Sequence, residues 1–374
     1  MRYENQELYI GLMSGTSLDG VDGVLVCLPA SPAAPIALLA SAYVPFDETF
    51  RADALSLQQP GNNEIHLEAL LANRLAAVYA ECVSVLLAQS GPVTVSAIGA
   101  HGQTIRHRPE LGYTRQTNNP ALLAELTGIS VVADFRSRDV AAGGQGAPLV
   151  PAFHRAIFGA AGETRVVANI GGISNISVLA ADGSTHGFDT GPGNVLMDFW
   201  MQRQQGAAYD RGGAWATQGR VSEALLDRLM QEPYLALPAP KSTGRDLFHA
   251  DWLLSHLRSF PDLAAVDVQA SLCAYTARTL AQAITVDGKD VSAVYVCGGG
   301  AYNAQLMSLL RSELQATQKQ ITIESTASLG IAPEQVEALA FAWLAQQFCL
   351  RQPGNLAAVT GARGPRILGA LYPA

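Results

Sequence analysis

Apolar residues fall along this chain in short runs that break at glycine, serine, asparagine and aspartate. LYIGLM (8–13) and VDGVLVCL (21–28) flank the polar turn SGTSLDG, a pattern that predicts a β-hairpin. VVANIGGISNISVL (166–179) repeats it as strand, glycine-rich turn and strand, which suggests two related half-molecules. Between the hairpins, LEALLANRLAAVYAECVSVLLA (67–88) places Leu67, Leu70, Leu71, Leu75, Val78, Cys82, Val85 and Leu86 at three- and four-residue steps, the periodicity of a helix with one core face. VSAIGA then leads into HGQTIRHRP, and ISVVADF into RSRDVAAGGQGAPL. These are apolar runs ending in polar loops, where ligands gather in open α/β sheets.

Further helices are predicted over 195–204, 267–284, 303–315 and 334–348, with strands over 291–298 and 321–325. VAAGGQGAP (140–148), with three glycines and a proline, is the expected boundary and hinge. It separates a phosphate-hairpin and substrate domain (1–142) from a nucleotide-binding domain (143–374), with the last helix free to pack back on the first. At 374 residues the chain suits two domains, and 49% apolar against 15% charged residues is the balance of a packed α/β enzyme.

A formal charge of −8 argues against nucleic acid as a partner. MRYENQELYIG lacks the pattern of a signal peptide, and no charge-free apolar run reaches the ~20 residues that span a bilayer, so no membrane is expected and the cytoplasm is the expected location. The five cysteines (Cys27, Cys82, Cys273, Cys297, Cys349) are odd in number and form no C-x-x-C pair. They read as buried thiols rather than disulfides or a zinc site.

Glycines in SGTSLDG let backbone N–H groups approach a ligand, and Ser14, Thr16 and Ser17 add hydroxyls, a combination suited to phosphate. The turn contains no lysine, so a Walker-type site is excluded and phosphate charge calls for a metal ion, with Asp19 and Asp22 as carboxylates able to hold it through water. NIGGISN (169–175), CGGGAYN (297–303) and DTGPGN (189–194) are three more such turns, the last two opening helices, where free N–H groups and the helix dipole favour a nucleotide. Asp189 precedes the rigid Gly-Pro-Gly turn and is the candidate general base. Of the remaining polar residues, Arg136, Arg138 and Asp139 stand beside the hinge, and an arginine fork suits a substrate carboxylate. His101 reads as a hydrogen-bonded structural group, and Lys241 and Arg245 in PKSTGRD as solvated charge.

GLMSGTSLDGVD, AIGAHGQTIRHRP, VVADFRSRDVAAGGQGAPLVPAFH, NIGGISNIS, DTGPGNVLMD, PAPKSTGRD, VCGGGAYN and EALAFAWLA occur in this order. The set resembles the bacterial 1,6-anhydro-N-acetylmuramic acid kinases, of the actin, sugar kinase and heat-shock chaperone superfamily. The resemblance implies an α/β fold of two ribonuclease-H-like domains, with mixed sheets flanked by helices and a nucleotide cleft between them. It implies transfer of the γ-phosphoryl of Mg-ATP to the six-position of the anhydro sugar, with hydrolytic opening of the 1,6-anhydro bridge, in cell-wall recycling. Asp189 matches the family's catalytic aspartate. Gly15, Thr16, Ser17, Leu18, Asp19, Gly20, Val21 and Asp22 match its phosphate cradle, joined by Gly171 and Gly172 of the second hairpin. Gly298, Gly299, Gly300 and Asn303 are expected on the adenosine side, Arg138 and Glu337 at the sugar. Mg²⁺ is expected to arrive through ATP phosphates and water near Asp19, with no direct protein ligand, and relatives imply a homodimer. TRQTNNPALL (114–123) and IAPEQVEAL depart from the family pattern, which keeps a kinase for another anhydro sugar such as levoglucosan as the alternative, and a non-catalytic ATP-switched protein behind it.

Overall fold

A computed structural model of the chain describes residues 7–15, 18–28, 36–239, 241–288, 290–317 and 321–374. Thr16 and Ser17, both expected to bind phosphate, lie outside these described residues. The chain divides into two compact units, Met1–Ile157 with Gln335–Ala374, and Phe158–Glu334.

The first unit is built on a six-stranded mixed sheet in the order Ala370–Tyr372, Val131–Ala133, Val95–Ala100, Leu8–Met13, Gly20–Cys27, Ala37–Pro45. The expected hairpin is there: Leu8–Met13 runs antiparallel to Gly20–Cys27 and parallel to Val95–Ala100. Every residue of Leu8–Met13 is buried, as its unbroken apolar run requires. The helix Val336–Cys349 lies directly on this strand and the next. Gly11 and Gly99 are register partners, and a Cβ on them would stand 1.9 Å from the carbonyl O of Ala338 and 2.0 Å from that of Phe341. Only glycine at both positions admits a helix so close.

The helix Glu64–Ser90 contributes Leu71, Leu75, Tyr79, Cys82, Val83 and Leu86 to the core. Its buried face is rotated from the one the periodicity suggested. Leu67, Leu70 and Val85 are exposed, and Tyr79 takes a central place because its hydroxyl finds buried partners. This helix is long and apolar enough to cross a membrane by length and composition. It nonetheless packs one face into the core, and its other side carries ion pairs of Arg74 with Asp53 (2.6 Å), Glu64 with Arg106 (2.9 Å) and Glu68 with Arg115 (2.8 Å). HGQTIRHRP, read as a polar loop, contains the strand Gln103–Arg108, paired antiparallel with Tyr113–Thr117. In the divergent stretch after it, Asn119 caps the helix Pro120–Thr127.

VAAGGQGAP does not mark the passage between units. Asp139, fully buried, accepts from Gly146 N, Asn355 Nδ2 and Thr360 Oγ1, and Gln145 N donates to Thr360 O. These bonds fix the segment inside the first unit. Phe153, on the following helix Val150–Phe158, meets Trp343 edge-on. The division therefore falls after Ile157, where the glycines had suggested 142/143, and the helix Val336–Cys349 belongs with the first unit.

The second unit has a five-stranded sheet in the order Thr185–Pro192, Ile173–Leu179, Thr164–Ile170, Val291–Cys297, Thr322–Ser325. The first three form an antiparallel meander that contains the second expected hairpin, and the last two join in parallel. Helices Ala265–Asp287 and Ala304–Thr317 close the core through residues such as Leu272, Leu280 and Leu310. Cys27, Cys82, Cys273 and Cys297 are buried, and Cys349 is exposed.

Candidate functional site

In the first unit the turn after Leu8–Met13 is pinned from behind. Ser14 Oγ is buried, donates to Gly102 O (3.1 Å) and lies 3.2 Å from Tyr79 Oη, which itself accepts from Gly102 N (3.1 Å). Gln103 Nε2 donates to Gly15 O (3.2 Å), and Phe46 N to Asp19 O (3.0 Å). Ser14 is thus turned into the fold, not toward a ligand as its place in the turn suggested. Leu18 has a φ of 56°, the left-handed conformation that tightens the turn after Gly15. Asp19 is exposed and Asp22 half-buried on the strand Gly20–Cys27.

Arg136 Nε and Nη2 approach Nε2 of His101 at 3.2 and 3.0 Å, and Nδ1 of His101 faces Ser14 O at 3.3 Å. Burial, with Arg136 second, pushes the His101 pKa down to about 3, so this imidazole is neutral and serves as a bracket. Arg136 also donates to Gly146 O (2.9 Å). Burial lowers its pKa to about 10 against the opposing fields of Glu337 and Asp139. Glu337, in the first turn of Val336–Cys349, is therefore electrostatically joined to this cluster. Arg138 stands exposed on the short helix Ser137–Ala141. Of the three residues beside the glycine segment, Arg136 and Asp139 hold the fold, and Arg138 presents its side chain outward.

In the second unit two glycine turns interlock. Gly193 N and Val195 N donate to Gly172 O (2.9 and 3.1 Å), and Asn194 N to Gly171 O (2.8 Å). A Cβ on Gly193 would stand 2.2 Å from Gly171 O, so the Gly-Pro-Gly turn before the helix Val195–Gln205 fits only as glycine. The turn after Val291–Cys297 is equally tight. Gly298 has a φ of 78° and donates to Pro333 O (3.0 Å), while a Cβ there would meet Asn169 Oδ1 at 2.4 Å. Gly299 and Gly300 continue it as a 3₁₀ turn. Oδ1 of Asn303 is engaged in capping the following helix through Leu306 N (3.0 Å).

Asp189 sits on the strand Thr185–Pro192, its backbone continued in the sheet rather than capping a helix. Its amide N donates to Lys241 O (3.3 Å), its carbonyl accepts from Tyr234 Oη (2.6 Å), and its Oδ2 accepts from Thr243 N (3.1 Å). Burial raises its pKa to about 6 against the Thr243 hydrogen bond. Lys241 is not the solvated charge the sequence suggested. Its Nζ donates to Leu235 O (2.9 Å) and Tyr234 O (3.4 Å), and lies over the rings of Tyr234 (5.0 Å) and Phe188 (5.5 Å). A second carboxylate went unnoticed in the sequence. Burial raises Asp198, on Val195–Gln205, to about 7, while Arg245 opposes the shift and Asp210 adds to it.

A carboxylate with its pKa raised to about 6, held at Oδ2 by Thr243 N while its own backbone is bonded to Lys241 and Tyr234, is suited to accept a proton. Tyr234, Lys241 and Thr243 support it from a loop distant in sequence. The signal for Lys241 and Thr243 was the polar stretch PKSTGRD, whose role only the tertiary fold reveals, while Tyr234 comes from the turn Pro233–Ala236 before it. Among the described residues no three His, Cys, Asp or Glu side chains gather to hold a metal ion.

A family model described as anhydro-N-acetylmuramic acid kinase matches residues 7–374. The chain is 57% identical over 369 residues to the anhydro-N-acetylmuramic acid kinase of Burkholderia orbicola (strain AU 1054), covering 98% of this chain and 96% of that one. It is 58% identical over 374 residues to the protein of the same name from Cupriavidus pinatubonensis, covering 98% of each. Among solved structures it is similar to a ROK family glucokinase from Streptomyces griseus in complex with glucose and AMPPNP, at 13% identity and a TM-score of 0.42 over 91% of this chain and 99% of that one.

Proposed function

Since the chain belongs to the anhydro-N-acetylmuramic acid kinase family, we propose that this sugar kinase transfers the γ-phosphoryl group of ATP to 1,6-anhydro-N-acetylmuramic acid while water opens the anhydro bridge. The observation that carries the mechanism is Asp189, fixed by Thr243 N and Tyr234 Oη, with its pKa raised to about 6. The anhydro sugar has no free hydroxyl at its six-position, so the proton comes from water. Asp189 takes that proton as the water oxygen bonds to the anomeric carbon. The bond from that carbon to the bridge oxygen breaks, and the bridge oxygen takes the γ-phosphoryl as ADP leaves. The products are N-acetylmuramic acid 6-phosphate and ADP. A positioned base of this kind contributes typically ~10²- to 10⁴-fold.

Gly15 to Asp22 and the Gly171–Gly172 turn are the proposed phosphate cradles, with Gly298 to Gly300 and Asn303 on the adenosine side. Arg138 and Glu337 are the proposed sugar contacts, where the arginine fork suits the lactyl carboxylate. Mg²⁺, when bound, neutralises phosphate charge, and the oxygen donors of Asp19 and Asp22 suit its hydrated ion. A cytoplasmic homodimer working in cell-wall recycling is the proposed setting. The exposed apolar side chains of Ile65, Leu67 and Leu70 on one helix supply a surface for a second copy.

The test is turnover with Mg-ATP and the anhydro sugar in oxygen-labelled water, read by mass spectrometry beside Asp189→Asn. One labelled oxygen at the anomeric carbon and one phosphate per product, both lost in the variant, are expected. Product without label, or full activity in Asp189→Asn, would overturn the mechanism.

A further inference from the structure

The segment that supports Asp189 continues into a cation without a function. Lys241 anchors its start through two carbonyls and two rings, and Thr243 N reaches Asp189 Oδ2. Arg245 follows two residues later, a span of at most about 7 Å of extended chain. Its side chain crosses to the other turn of the site, where a Cβ built on Gly172 would stand 3.9 Å from Arg245 Nη2.

Arg245 is exposed and makes no carboxylate ion pair within 4.0 Å among the described residues. Asp198 is near enough to feel its charge but does not neutralise it at contact. The fork is thus held in the neighbourhood of the Gly171–Gly172 turn by a fixed segment, with its donors still available. A guanidinium so placed suits phosphoryl oxygens, which it can bind bidentately.

We propose that Arg245 is a further substrate-contacting residue of this kinase, binding γ-phosphoryl oxygens of ATP over the Gly171–Gly172 turn. This rests on the reading of that turn as a phosphate cradle. It gives the segment Lys241–Arg245 two tasks at once: Thr243 aims the base, and Arg245 receives the group that the bridge oxygen attacks. Charge on the transferring phosphoryl is met by a cation supplied by the same loop, an arrangement known to accelerate phosphoryl transfer in general.

Arg245→Ala and Arg245→Lys test it in the full chain by two measurements. In steady-state turnover of the anhydro sugar, Arg245→Ala is expected to lower kcat about 10²- to 10³-fold with the KM for sugar unchanged. Arg245→Lys should recover part of it, since charge is kept and the fork lost. In equilibrium binding without sugar, Arg245→Ala is expected to weaken a non-hydrolysable ATP analogue while leaving ADP unchanged. Wild-type kcat and an unchanged analogue-to-ADP ratio would overturn the proposal, as would a rise confined to the KM for sugar. The binding measurement needs no turnover. A wild-type protein inert toward this sugar would therefore remove the proposed substrate, while a lost analogue preference in Arg245→Ala would still support Arg245.

Discussion

Thr243 donates its backbone N–H to Oδ2 of Asp189 at 3.1 Å from a loop 54 residues further along the chain. A main-chain donor cannot rotate away as a side chain can, so the carboxylate has one preferred orientation in the site. The same bond favours the ionised form and works against burial, which together leave Asp189 with a pKa of about 6.

The first prediction follows from that balance. A base must be deprotonated to act, so kcat/KM should fall on the acid side with a limb near pH 6, measured against a pH-independent reference reaction. A limb near ~4, the ordinary aspartate value, would contradict the burial of this group. Stability carries the opposite sign. A raised folded-state pKa contributes stability below the unfolded value that is lost as pH rises through about 6. Asp189→Asn should therefore gain relative to the wild type in urea unfolding at pH 8, and gain less at pH 5.

Lys241→Met keeps the apolar stem and removes the ammonium that donates to Leu235 O and Tyr234 O. Loss of those bonds should cost about 1–3 kcal/mol in denaturant unfolding. The loosened loop should lower kcat by about 10- to 100-fold and move the acid limb upward, since Thr243 no longer holds Asp189 steadily. Unchanged pH dependence would mean that Lys241 acts on stability alone.

Asp139→Ala should be the most damaging of these changes to stability, by about 3–5 kcal/mol. It would leave Gly146 N, Asn355 Nδ2 and Thr360 Oγ1 without their shared acceptor in a fully buried place. Denaturation midpoints check it, and a midpoint within error of the wild type would show that the three donors find other partners.

Arg138→Ala, one residue away and exposed, should stay within about 0.5 kcal/mol of wild-type stability. Its effect should fall on substrate: a KM for the muramic sugar raised on the order of 10-fold, from a lost charged hydrogen bond, with no change for levoglucosan, which lacks the lactyl ether. Equal efficiency on the muramic sugar before and after would remove Arg138 from the site.

Much of this was legible in the sequence because local pattern and tertiary role agree. Both hairpins read directly from apolar runs interrupted by glycine, and each forms as an antiparallel pair. What stayed hidden depends on partners far along the chain. The alternation of Glu64–Ser90 could not say which face meets the sheet, because Tyr79 is drawn inward by Ser14 and Gly102. The glycines of 140–148 look like a hinge in one dimension, yet Asp139 pins them in three. Lys241 reads as a surface charge until the carbonyls and rings that surround it are assembled.

The chain leaves its first unit after Ile157 and returns to it at Gln335, and this order has a consequence during synthesis. The helix Val336–Cys349 that seals Gly11 and Gly99 is synthesised long after the strand Leu8–Met13 that it covers. At roughly 5–20 residues per second, the strand Leu8–Met13 waits on the order of tens of seconds with one face uncovered. Over that interval Tyr9 and its neighbours on that face are open to chaperones and to other nascent chains. A chain cut before Val336 would keep a sheet permanently lacking its lid, and such fragments should be met by proteolysis or aggregation rather than by partial activity.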